Sequence, residues 1–153
     1  MAKEDSDIKA RSWGLFLLAH TLLLEQIESA LSAASLPPLS WYDVLWELEK
    51  ADGGRLRMHD LAERVVLSRS NLTRLADRLE KAGLINREHC PHDRRGNFCV
   101  ISQTGKETRK KMWPIYRRQI ESLYSCYFTA SEARTLVNSL DKVVRALKDS
   151  NPI

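Results

Sequence analysis

The chain of 153 residues lacks what most enzymes and secreted domains are built on. It has no Gly-rich phosphate loop, no HExxH, no GxSxG and no carboxylate pair with a plausible pocket around it, so the common phosphoryl-transfer, metalloprotease and serine-hydrolase chemistries have no footing. Its three cysteines, Cys90, Cys99 and Cys126, are odd in number and show no CxxC spacing, which argues for free thiols rather than a disulfide framework. Long apolar runs are missing too. The longest, Leu15 to Leu24, is broken by His20 and Thr21 and falls short of the roughly 20 residues that a membrane span needs. The opening MAKEDSD carries three acids and no apolar stretch, so the expectation is no secretory signal, no membrane partner and a cytoplasmic location.

What the chain does have is segregated charge. The net charge is only +4, yet residues 1–54 hold 4 Lys/Arg against 9 Asp/Glu, residues 55–118 hold 16 against 7, and residues 119–153 hold 4 against 4. The basic excess sits in the middle block, where it would attract a polyanion and release its counterions. A solvated basic face has the same composition, so the arrangement of residues must decide.

That arrangement is mainly helical. Ile8 to about Ala34 has no Pro and apolar residues at helical spacing over a wide face, as a subunit interface requires. Pro37 and Pro38 stop it, and Ser40 is placed to cap a second helix that Asp52-Gly53-Gly54 ends. Helices are expected over about Met58–Val65 and Arg69–Ala82, with Gly83 as a left-handed cap. Leu84–Glu88 and Phe98–Ile101 suit strands, and PHDRRGN between them supplies turn residues, giving a hairpin. A hairpin symmetric about residues 93–94 would pair Cys90 with Asn97 and leave Cys99 out of register for a disulfide. Ser102 can cap a long helix reaching about Tyr124, with Pro114 expected to kink it. Thr129-Ala-Ser-Glu132 is a capping box opening a last helix, whose apolar seam through Leu136, Val137, Leu140, Val143, Val144 and Leu147 needs a partner.

The segment LAERVVLSRSNLTRLADRLEKAGLINREHCPHDRRGNFCVISQTG, Leu61 to Gly105, therefore reads as helix–turn–helix followed by a wing. At about 100° per residue, Leu72, Leu75, Ala76 and Leu79 form the buried face of the second helix, and Ser70, Arg74, Asp77 and Lys81 lie opposite. Only the first two turns of such a helix reach deep into a major groove, which selects Ser70, Asn71, Thr73 and Arg74, with Arg69 beside them. An arginine such as Arg74 can take a guanine edge bidentately. Ser68 can serve as helix cap, phosphate ligand or both. Arg94 and Arg95 at the wing tip suit a minor groove, and Asp93 next to them suits a role in holding the wing's shape. Arg55, Arg57, Arg64, Arg69, Arg87 and Lys106 are candidates for phosphate contacts.

These residues carry a family resemblance. LAERVVLSRSNLTRLADRLEKAGLI, then DRRG, then Ile101-Ser102 with Gly105 three residues on, resembles the winged helix–turn–helix regulators of the MarR (multiple antibiotic resistance regulator) family. Two positions depart from the usual pattern: Ile101-Ser102 stands for Leu-Thr, and Val65-Val66-Leu67 lacks a frequent Gly. The resemblance implies a mainly α fold with a small β-hairpin wing, in which a lobe at 40–101 is flanked by dimerisation helices at 8–35 and 103–149, all in one domain, 1–153. It further implies a homodimer on pseudo-palindromic double-stranded operator DNA, commonly a repressor released by a small molecule. Members often hold aromatic acids between dimer helices and DNA-binding lobe, which points to Trp13, Phe16, His20, Trp41, Tyr42, Trp46 and Trp113 as a pocket for a small aromatic ligand. The same aromatics fit a packed core or subunit interface. Oxidant-sensing members use a cysteine in the first helix, where this chain has none.

No cofactor or metal is expected, and the reading is not that of an enzyme. His89, Cys90, His92 and Asp93 are ligand-competent, but strand alternation sends neighbours to opposite faces, whereas structural zinc wants four convergent ligands. Two other readings stay open on sequence alone: a winged-helix module that docks acidic protein surfaces, and a small thiol or metal enzyme using His89, Cys90 and His92.

Overall fold

Helical periodicity and short β-prone runs place the apolar residues of six elements around one centre in the computed structural model, which describes residues 2–65, 69–90 and 93–150. The order is α1 (Ala2–Ala33), α2 (Leu39–Lys50), β1 (Arg55–Arg57), α3 (Met58–Arg64), α4 (Arg69–Lys81), β2 (Ile85–Cys90), β3 (Asp93–Ile101), α5 (Gln103–Leu123) and α6 (Ala130–Ser150). Val44, Leu45 and Leu48 of α2, Leu61 of α3, Leu72, Leu75, Ala76 and Leu79 of α4, and Ile85, Cys99 and Ile101 of the sheet form the lobe core. The expected buried face of α4 is the observed one.

The lobe's sheet has three strands in the order β1-β3-β2, all antiparallel. Only the hairpin is expected from the sequence pattern; β1 is a three-residue RLR in which Leu56 alone is buried, too short to register as alternation. The hairpin register also differs from expectation by one residue: His89, not Cys90, lies opposite Asn97, and an irregularity between His89 and Cys90 sets Cys90 against Asp93. Cys99 faces Arg87 across the ladder and lies buried with its Sγ 3.1 Å from Met58 Sδ. Burial pushes its thiol up to about 11, so it stays protonated and inert.

Two connections fix the frame. Gly83 takes φ +71° after α4 as expected of its cap position, and the Ser102 hydroxyl donates to Gly83 O at 2.7 Å while accepting from Gly105 N at 2.9 Å. Gly105 is required for its lack of a side chain: a Cβ there would sit 2.2 Å from the Leu84 carbonyl oxygen. α2, in contrast, is not capped by Ser40. It begins at Leu39, whose N–H donates to Glu28 Oε1 of α1 at 3.0 Å, a tertiary cap beyond the reach of local sequence. α5 carries Pro114 without ending there, and the Thr129–Glu132 capping box forms as expected, with Thr129 N to Glu132 Oε2 at 2.8 Å and Glu132 N to Thr129 Oγ1 at 3.3 Å.

A second core joins the arms to the lobe. Ile27 and Leu31 of α1, Leu39 and Tyr42 of α2, and Met112 of α5 are buried together. Beyond it the arms are bare. Ile8, Trp13, Leu15 and Leu18 on α1 and Val137, Val143 and Leu147 on α6 are all more than half exposed. Although no unbroken apolar run is long enough to span a membrane, α1 is by length and composition, since an 18-residue window within Glu4–Ala33 reaches a mean hydropathy of 1.2. Its C-terminal part, however, belongs to the second core through Ile27 and Leu31.

Candidate nucleic-acid interface

The exposed side of α4 is the expected reading surface. Asn71, Thr73, Arg74, Asp77 and Arg78 are exposed, opposite the buried Leu72, Leu75, Ala76 and Leu79. An open groove runs beside them, lined by Ser40, Asn71, Arg74, Leu75, Asp77 and Arg78, so the start of α2 borders the recognition helix. Arg69 and Ser70 stand in the first turn of α4, and Asp93, Arg94 and Arg95 stand at the start of β3, at the wing end. Ser68 and His92 lie outside the described residues. Among the described residues no three metal-competent side chains come together.

Among the described residues, three of the arginines read as phosphate ligands are engaged within the protein. Arg87 corrects the expectation most: its Nη2 donates to Asp77 Oδ1 at 2.5 Å and to the Thr73 carbonyl at 3.3 Å, and its Nε lies 3.6 Å from Glu80 Oε2. Arg55 lies 4.1 Å above the Phe98 ring and 3.4 Å from Glu88 Oε2, and Arg57 approaches the same ring at 5.4 Å. Arg55, Arg57, Glu88 and Phe98 thus share the outer face of the sheet, where cation–π contact holds the arginine stems.

The seven aromatics expected to line a pocket fall into three places. Trp13, Phe16 and His20 stack along α1, with centroids 6.0 and 6.5 Å apart. Tyr42 stacks on Trp46 at 6.4 Å and on Trp113 at 6.1 Å, while Trp41 packs against the lobe core. Two further residues join the middle group beyond those expected: Tyr116, edge-on to Tyr42 at 5.2 Å, and Arg109, which ion-pairs with Glu49 and lies 5.1 Å above Trp46. Both lie three or four residues from Met112 and Trp113 on α5, the helical spacing that puts them on one face with the aromatics. Burial raises the Tyr42 hydroxyl against the opposing pull of Arg109. Beside this group, desolvation with help from Glu47 and Glu28 pushes Asp43 up to about 6.

A core-anchored helix with a polar outer face, a helix supporting it and an antiparallel wing define a winged helix–turn–helix protein, the class that reads duplex DNA. The family model described as "MarR family" matches residues 35–96. AbsC of Streptomyces coelicolor, a MarR family transcriptional regulator, is 30% identical over 94% of this chain and 96% of its own, with a TM-score of 0.85. Sco3205 of the same organism, solved in complex with DNA, is 28% identical over 91% of this chain and 87% of its own, also at 0.85. YfiV of Bacillus subtilis, an uncharacterized HTH-type transcriptional regulator, is 32% identical over 63% of this chain, which spans 60% of its length. The chain belongs to the MarR family of DNA-binding transcriptional regulators.

Proposed function

We propose that the chain acts as a cytoplasmic homodimer that occupies a pseudo-palindromic operator and represses transcription. The observation that carries the reading is the pairing of a basic, exposed α4 face with bare apolar arms: the first is a half-site reader, the second a surface that a second copy would bury. The DNA complex of Sco3205, similar over nearly the whole chain, supports the first half. Residues 8–35 and 103–149 serve as dimer arms and 40–101 as the reading lobe. Two α4 helices would then enter successive major grooves about 34–36 Å apart. Ser70, Asn71, Thr73 and Arg74 contact bases, Ser68 and Arg69 nearby phosphates, and Arg94 and Arg95 the minor groove, with Asp93 shaping the wing.

Selection of binding sites from random duplexes tests this, the expected product being a dyad-symmetric site of about 15–20 base pairs. Arg95→Ala is expected to weaken binding to that site at least tenfold in fluorescence anisotropy, while Arg134→Ala, on the exposed side of α6, leaves it unchanged. Equal binding by both variants rejects the wing assignment. The effector reading centres on the Tyr42, Trp46 and Trp113 group, with Trp13, Phe16 and His20 of α1 and Trp41 as further candidates. A small aromatic acid bound there raises the melting temperature with concentration and lowers operator affinity.

A further inference from the structure

We infer that Arg87 is a positioning residue of the recognition helix, setting its angle and its distance from the wing, and not a ligand of the DNA backbone. The inference rests on the reading of α4 as the DNA-reading helix. Apolar packing alone leaves a helix some freedom to roll on its bed, because dispersion contacts are individually weak and non-directional. Leu72, Leu75, Ala76 and Leu79 supply that bed. Arg87 adds direction. From the middle of β2, opposite the buried Cys99, its guanidinium reaches three α4 positions on one stripe: Thr73 O, Asp77 Oδ1 and Glu80 Oε2. Its own backbone N–H donates to Glu80 Oε1 at 3.2 Å, so strand and helix are tied twice. A planar fork with several fixed donors suits such a tie better than a lysine could.

The stripe 73–77–80 borders the reading face, and Thr73 belongs to both. Rolling α4 by even one stripe would withdraw Arg74 from its base edge. Arg87 also lies on the strand that leads to the wing, so the same tie fixes the phase between the two DNA-contacting elements. There is an electrostatic side as well. Asp77 and Glu80 are acids on a helix that approaches phosphates, and Arg87, with its side chain only 23% exposed, offsets them from behind. Buried to that extent and holding these partners, it is not placed as a phosphate contact.

The two roles separate in binding to a selected operator and to a scrambled duplex of equal length, titrated over a salt series. For Arg87→Ala, positioning predicts a loss of about five- to tenfold on the operator, under twofold on the scrambled duplex, and an unchanged salt slope. Asp77→Asn is the sharper variant, being a mild change at an exposed residue. Positioning predicts that it lowers the operator-to-scrambled ratio by severalfold, and that the double variant is no worse than Arg87→Ala. A phosphate ligand predicts the reverse: Arg87→Ala weakens both duplexes alike and flattens the slope by about 1.8, about 0.9 for each copy in the dimer, and Asp77→Asn tightens both. That outcome, or additive losses, overturns the inference. Failure of the unmodified chain to bind any duplex overturns instead the reading of α4 on which it rests.

Discussion

The winged lobe and the helical arms are built from similar proportions of apolar residues and end in opposite states. In the lobe, Leu45, Leu48, Leu61 and Ile85 are wholly buried within one chain. In the arms, Trp13 is 61% exposed, Val137 64% and Leu147 66%. The lobe closes its core within one chain; the arms leave apolar area in water. Apolar area left in water is a driving force in reserve, and two such helices per chain make the reserve large.

The strongest test of that contrast sets Leu79→Ala against Leu147→Asp. The first empties a closed core and is expected to cost about 2–5 kcal/mol in unfolding experiments. The second is expected to leave the lobe's unfolding nearly unchanged and to shift sedimentation toward the monomer; unaltered sedimentation would mean that α6 does not associate. Gly105→Ala comes next, because its Cβ would press on the Leu84 carbonyl, and an overpacked joint of this kind costs about 1–3 kcal/mol. The smallest effect concerns Asp43. Its folded value, about 6, lies above the ordinary 3.8, so the ionised carboxylate costs stability above about pH 6 and the cost fades as pH falls toward 4. Asp43→Asn should therefore raise thermal stability at pH 8 by at most about 1 kcal/mol, given solvent screening, and match the parent at pH 4.

Legibility in the sequence followed the range of the interaction. The faces of α4, the capping box at Thr129, and the caps at Gly83 and Ser102 are set within a few residues and were readable. The cap on α2 was not, because Glu28 is 11 residues away, on another helix. β1 exists through pairing with β3, about 43 residues on, and three residues carry too little pattern to announce it. Arg87 looked like one more cation in a basic block; only the strand register turns it toward α4. The aromatics were legible as a set but not as neighbours, since stacking of Tyr42 on Trp113 depends on how α5 crosses α2.

A single residue, Ser102, separates β3 from α5. With its hydroxyl engaged on one side by the exit turn of α4 and on the other by the first turn of α5, it leaves no slack between them. A linker absorbs torque; a pin transmits it. A change in the tilt of α5 is therefore expected to reach α4 and the wing rather than be absorbed at the joint.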